Sequence, residues 1–221
     1  MNRLDLPKIE KMPADARALG VLRSKIVDGS IPPGARLTEI QLSGEMGLSR
    51  ATIRTALHQL GKEGLVSLTP YTGWTVIELS RQDMWELYTL RAAVERLAAQ
   101  LAAAQGTPRA VASIGLSFDH LVAECQTHDR NRIADADFGF HKAIVEAAGH
   151  GRLQLQYSLI EQQIRVYIRS SDALIEDPTE IISQHEPILA AIRSKDSGMA
   201  GTLSERHNIH EGEKLTATMP A

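Results

Sequence analysis

At 221 residues the chain can hold one large or two small domains, each able to bury a core. Its single cysteine, Cys125, excludes an intrachain disulfide framework, and no run of about 18 apolar residues offers a membrane span. The net charge of −3 is uneven: residues 1–80 carry ten Lys/Arg against eight Asp/Glu, and residues 81–221 carry 14 against 19, a mildly basic head on an acidic body that fits a nucleic-acid-binding module joined to something else. The first 13 residues mix charges with apolar side chains and lack the apolar centre of a signal peptide, so they read as a loose arm. The expectation is a soluble cytoplasmic protein with no membrane partner.

After the arm, residues 14–28 read as a helix with Leu19, Leu22 and Ile26 on one face, stopped at Gly29. Ile31-Pro32-Pro33-Gly34 is a turn, because neither proline has an amide hydrogen to give a helix. Ala35-Arg36-Leu37 is extended, and Thr38 can cap a helix to about residue 45. Gly47 suits the turn between two helices, and Ser49 sits where an N-cap belongs. Beyond it Ile53, Ala56, Leu57 and Leu60 recur at helical spacing as one buried stripe. The opposite face carries Arg50, Ala51, Arg54, Thr55 and His58, with two arginines and no acid, so it can approach phosphates and base edges. Gly64 stops this helix, and Leu65–Leu68, a Pro70-Tyr71-Thr72-Gly73 turn and Trp74–Ile77 form a hairpin. The result is a winged helix–turn–helix over 14–79, with its second helix entering the major groove of double-stranded DNA. An αα-hairpin in an ordinary helical protein is the bland alternative. Cap, basic face and wing together favour DNA.

Residues 80–217 read as an all-α bundle. Ser80 caps a helix over 81–105, and Gly106-Thr107-Pro108 breaks it, with Thr107 as the next cap and Pro108 tolerated in the first turn. Further helices follow over about 108–127, 131–148, 151–171, 178–195 and 197–214. Aromatic content is only 4% and no alternating strand pattern appears, so the fold class is mainly α, with about six helices in this part. Trp85 and Tyr88 are expected to pack between the domains. His58, His120, His128, His150 and His210 read as solvent or cap residues. No G-x-S-x-G motif or Gly-rich phosphate loop points to an enzyme. Asp137 and His141, spaced i, i+4, share a helix face. Taken alone they could be a surface polar pair or an N–H-to-carboxylate pair as readily as metal ligands.

The runs I-V-D-G-S-I-P-P-G-A-R-L-T-E, G-L-S-R-A-T-I-R-T-A-L-H-Q-L-G-K-E-G-L-V and G-W-T-V resemble the GntR superfamily of bacterial transcription regulators. The second half looks like the FCD domain of its FadR subfamily, through L-R-A-A-V-E (90–95), D-F-G-F-H-K-A-I (137–144), H-E-P-I-L-A-A-I (185–192) and E-R-H (205–207). Six helices rather than seven favour the VanR-like branch. Two departures stand out: Thr52 and Thr55 replace a proline and a glutamate common in the family, and Ile40 stands where many members have arginine.

The resemblance implies a homodimer on an operator, probed by Arg50, Thr52, Arg54 and Thr55, with Gly73 at the wing tip either letting backbone approach the minor groove or serving only as a turn glycine. It also implies a divalent metal held by Asp137, His141, His185 and His207. The ligand types admit zinc, nickel, manganese or iron. A small organic acid effector would complete the site, with Arg91 pairing to its carboxylate, although Arg91 could instead pair with Glu95 one turn on. Arg165 and Arg169 are weaker candidates. The expected function is a ligand-responsive repressor. The rivals are a regulator for which the metal itself is the signal, and a metalloenzyme using the three histidines and the aspartate to activate water.

Overall fold

The computed structural model describes residues 12–219, so all but the last two residues of the expected arm lie outside the described part. The chain falls into two compact units, Met1–Ile77 and Glu78–Ala221. The first contains α1 (Ala14–Val27), β1 (Arg36–Leu37), α2 (Glu39–Met46), α3 (Arg50–Lys62), β2 (Val66–Thr69) and β3 (Gly73–Val76). The three strands are antiparallel in the order β1-β3-β2, with Leu37 opposite Trp74 and Val66 opposite Val76.

Local chemistry accounts for these elements. The Thr38 hydroxyl accepts from the Gln41 amide at the start of α2, and the Ser49 hydroxyl accepts from the Thr52 amide at the start of α3. Between them Gly47 takes a left-handed conformation, φ 62°, which a residue with a Cβ resists. Ile53, Ala56, Leu57 and Leu60 are buried on α3, which packs against α1, where Ala18, Leu22 and Ile26 are buried. Ala18, rather than the expected Leu19, takes the innermost position on α1, since the stripe through Leu22 and Ile26 passes through residue 18. Arg23 grips Glu63 with two hydrogen bonds, at 2.8 and 2.6 Å, pinning α1 to the end of α3.

The second unit contains six helices among its described residues: α4 (Arg81–Gln105), α5 (Pro108–Cys125), α6 (Arg130–Ala147), α7 (Gly151–Asp172), α8 (Thr179–Arg193) and α9 (Ser197–Ala217). Ser80 and Asp83 close a reciprocal capping box on α4, and Thr107 with Pro108 opens α5. Pro187 lies inside α8 and leaves the Ser183 carbonyl without its usual amide partner. The most extensive helix pairing is α4 with α9. Gly201 on α9 lies against the Gln100 side chain of α4, and Ala98, Ala99, Ala102 and Ala103 of α4 are buried.

At the far end of this seam the Tyr88 ring lies flat against Gly212. Tyr88 is thus a core residue of the helical unit, tilted against Tyr167 with ring centroids 6.2 Å apart, and the expected interdomain role is corrected. Trp85, one turn earlier, is half exposed.

A methyl group at Gly212 would overlap the Tyr88 ring, whereas one at Gly198 on the same helix meets only an Asp196 oxygen at 3.7 Å. Gly212→Ala should therefore destabilise the chain by about 1–3 kcal/mol. Gly198→Ala should leave stability unchanged or slightly higher. Paired thermal melts check both.

Candidate DNA interface and metal centre

On α3, Arg50, Ala51, Arg54, Thr55 and His58 are exposed and Thr52 is partly so. This face is not free of acid. Glu39, the first residue of α2, receives two hydrogen bonds from Arg54, Nε to Oε1 at 2.7 Å and Nη2 to Oε2 at 2.8 Å, with Arg50 3.7 Å away. The Arg54 hydrogen bonds hold the Glu39 carboxyl below its usual range against the opposing effect of burial. Both threonine hydroxyls are engaged locally: Thr52 Oγ1 lies 2.8 Å from Ser49 Oγ, and Thr55 Oγ1 donates to the Ala51 carbonyl. His58 meets the Trp74 ring edge-on at 4.9 Å. Ile40 is exposed beside Glu39.

Gly73 opens β3 opposite Thr69, with φ 98°. The wing tip itself is Tyr71, fully exposed at φ 64°. Arg36 braces this turn by donating from Nε to the Thr72 carbonyl at 2.9 Å.

In the helical unit, α6 carries Asp137 and His141 one turn apart, α8 carries His185 and α9 carries His207. Ring nitrogens of the three histidines come within 4.8 Å of one another. The His141 and His185 Nε2 atoms are 3.0 Å apart, and Asp137 Oδ1 lies 3.2 and 2.9 Å from them. The His207 ring stacks on His141, centroids 5.1 Å apart, and meets His185 at 4.4 Å. Phe140 places its ring against both His141 and His185, giving the cluster an apolar wall.

The far ring nitrogens determine which way these imidazoles point their lone pairs. His185 Nδ1 donates to the Ile181 carbonyl at 2.6 Å, and His141 Nδ1 faces Glu95 Oε2 at 2.8 Å. A neutral ring protonated on Nδ1 presents a bare lone pair at Nε2. With both rings in that neutral state, two such lone pairs and the buried Asp137 Oδ1 face one another. That donor set fits a divalent cation: ligand atoms held about 2.0–2.2 Å from a metal sit at spacings of this order.

The charges around the cluster follow from its surroundings. Burial would raise the Asp137 carboxyl, but His185 and His141 beside it hold it well below the usual range. Burial opposes a charged His141, yet Glu95 raises its pKa overall. Burial, reinforced by the charges of His185 and His141, holds His207 well below the usual imidazole range. Asp172 on α7 is the opposite case, pushed well above the carboxylate range by burial and then by Asp137 and Glu211. Cys125 is also buried, its thiol pushed up to about 11 by burial and then by Asp137, Asp172 and Glu124.

Of the two partners expected for Arg91, the structure shows Glu95. Nε donates to Glu95 Oε1 at 2.8 Å, while Nη2 is buried without a hydrogen-bond partner, and the guanidinium lies 5.7 Å from the Tyr167 ring centre. Arg165 and Arg169 instead reach Asp135 on α6, at 3.0 and 3.6 Å. Among the other histidines, His150 caps α7, accepting from the Leu153 amide, and His128 occupies a left-handed turn. His120 is exposed, 3.7 Å from Glu124, and His210 is exposed.

Residues 16–76 match the bacterial regulatory proteins of the gntR family, and residues 86–210 match the FCD domain. The chain belongs to the GntR family. Its relatives include the transcriptional repressor GlaR of Escherichia coli (strain K12), 27% identical over 195 residues that cover 84% of this chain and 88% of that protein. The gluconate operon transcriptional repressor of Bacillus subtilis (strain 168) is 25% identical over 196 residues, 86% of this chain and 80% of its own. A GntR transcriptional regulator from Rhodococcus sp. RHA1 shares the fold, with a TM-score of 0.78 at 22% identity over 93% of this chain and 99% of that one. This GntR-family chain with an FCD domain is accordingly a DNA-binding transcription regulator and not an enzyme. No helix among its described residues is long and apolar enough to cross a membrane.

Sequence reading named Glu95 only as a partner for Arg91, and missed its contact with His141, the Asp172 and Asn208 groups beside the cluster, and Tyr157 behind Glu95. An ionisable residue inside the alanine-rich helix over 92–104 was the available signal for Glu95, since an acid flanked by buried alanines needs a partner.

Asp172 gives a measurable consequence. Its folded pKa is raised above the unfolded value, so the folded chain keeps a proton that the unfolded chain loses. Stability is full below the unfolded carboxylate pKa, about 3.9, and falls as pH rises toward the folded value. Asp172→Asn should therefore melt higher than wild type near pH 7.5 in metal-free protein, with the gain shrinking toward pH 4. Melting curves at both pH values check the slope.

Proposed function

We propose that this regulator is a homodimeric repressor whose FCD domain binds a divalent metal through Asp137, His141, His185 and His207, and whose operator affinity is set by a small organic acid at that centre. The observation that carries the reading is the convergence of His141 Nε2, His185 Nε2 and Asp137 Oδ1, within 2.9–3.2 Å of one another, on one buried point. Lone pairs facing one another in a buried site repel, and a cation turns the repulsion into ligation. The ligand set admits zinc, nickel, manganese or iron. His207, partly exposed, is the ligand nearest the groove between α8 and α9. The unpartnered Nη2 of Arg91 supports a role in receiving a carboxylate, and a relative named for a gluconate operon is in keeping with an acid effector. The bound metal would supply Lewis acidity and positive charge to an anionic effector. Six helices are in keeping with the VanR-like branch.

On the DNA side, Arg50, Thr52, Arg54 and Thr55 would meet the major groove, and the Gly73 turn the minor groove. Glu39 supports Arg54 in the free protein and must yield part of its hold when phosphate or guanine approaches. Such exposed pairs are worth only about 0–1 kcal/mol, so the exchange is inexpensive. Effector coupling of about 1–3 kcal/mol is enough to change operator occupancy usefully.

Elemental analysis of purified wild type should find near-stoichiometric divalent metal, and Asp137→Ala should lose it. Metal-free wild type, or full occupancy in the variant, would overturn the ligand assignment while leaving DNA binding intact.

Arg54→Ala should weaken binding to duplexes selected by the wild type from a random pool at least 100-fold, with dimer and metal content unchanged. If the lost contact is to phosphate, the slope of log K against log salt should also fall by about 0.9. Unchanged affinity would remove α3 from the interface.

A further inference from the structure

Glu95 is 2% exposed and lies on α4, yet it meets groups from four helices. Its Oε1 accepts from Arg91 Nε at 2.8 Å and from the Tyr157 hydroxyl of α7 at 3.2 Å. Its Oε2 accepts from Asn208 Nδ2 of α9 at 2.9 Å and lies 2.8 Å from His141 Nδ1 of α6. A residue retained only to neutralise Arg91 would need one oxygen. Here the second oxygen is shared between Asn208 Nδ2 and the far nitrogen of the His141 imidazole.

We propose that Glu95 is the positioning residue of the metal centre, fixing the proton of His141 on Nδ1 so that Nε2 faces the ion, and tying that ligand to Arg91 through its other oxygen. The proposal rests on the metal reading above. The physical reason is that an imidazole can rotate about its side-chain bonds and exchange tautomers, and each freedom lowers the population of the binding-competent ring. A carboxylate on the remote nitrogen removes both and makes the ring a stronger donor. Asn208 on α9 is adjacent in sequence to His207, and its hydrogen bond to Glu95 Oε2 registers the helix that carries the third histidine. One buried carboxylate thus aligns His141 directly and the His207 segment through its neighbour. It also makes Arg91 and His141 two ends of one hydrogen-bonded unit, so a carboxylate drawn to Arg91 Nη2 acts on the same unit that aligns the metal ligand.

The test uses full-length protein titrated with Co(II), whose visible spectrum reports its ligands, with affinity measured by chelator competition. Wild type should bind, and Glu95→Gln should bind about 10- to 100-fold more weakly with an altered Co(II) spectrum. Tyr157→Phe removes a different bond to the same carboxylate, so it should lower the melting temperature while leaving the Co(II) affinity and spectrum near wild type. If Glu95→Gln fails to fold because Arg91 is stranded, the double variant Arg91→Met/Glu95→Gln leaves no unpaired charge there and carries the same measurement. Nitrogen NMR of metal-free wild type, at a pH where the rings are neutral, should find His141 protonated on Nδ1. Wild-type affinity and spectrum in the Glu95 variants, equal weakening in Tyr157→Phe, or a His141 ring protonated on Nε2 would each overturn the positioning role. Failure of wild type to bind Co(II) would instead overturn the metal centre on which the role depends.

Discussion

Burying ions in an alanine-lined bundle dictates how the helical unit is assembled. Removing a carboxylate or guanidinium from water costs several kcal/mol, recovered only when each charge has close partners and satisfied hydrogen bonds. Arg91, Glu95, Asp137, His141 and His185 are all buried, so their partners must arrive from different helices with little tolerance for error. Glu95 gathers α4, α6, α7 and α9, and Asp137 brings α8 into the same arrangement through His185. The alanines on α4 and the small residues on α9 let the backbones come close enough for side chains of modest length to meet. An apolar core of the same volume would tolerate many packings. The ionic one penalises any register that leaves a charge without its partner.

The winged unit follows a softer logic. Its core is a conventional apolar stripe, and the exposed face of α3 is held by contacts worth little individually. The Glu39 carboxylate occupies the guanidinium edge of Arg54 much as a phosphate would, keeping a flexible side chain extended across the face. The two units thus use carboxylate–cation pairing differently: desolvated in the bundle, exposed on α3.

What the sequence disclosed was mainly what is decided locally. Caps at Thr38, Ser49, Ser80 and Thr107 were legible because each depends on a residue and an amide three positions on. The stripe through Ile53 and Leu60 was legible because helical period and burial coincide. Partners separated along the chain were not: Glu39 is 15 residues from Arg54, and Tyr157 is 62 from Glu95. Nothing in either neighbourhood states which helices will face one another. For the same reason Tyr88 looked like a boundary aromatic until Gly212 supplied the opposing surface. Asp137 and His141 were visible as a pair, whereas His185 and His207 joined them through family resemblance rather than spacing.

Cys125, the chain's only thiol, has a consequence of a different kind. Buried on α5 and held to a pKa of about 11, it carries almost no thiolate at neutral pH, and the thiolate is the species that reacts. Alkylating reagents can capture it only during excursions in which the bundle opens. In the regime where closing outpaces capture, the labelling rate divided by that of a free thiol gives the population of opened molecules. The native sequence therefore contains its own single-site clock for the breathing of the bundle, with no engineered probe and no second cysteine to confuse the signal.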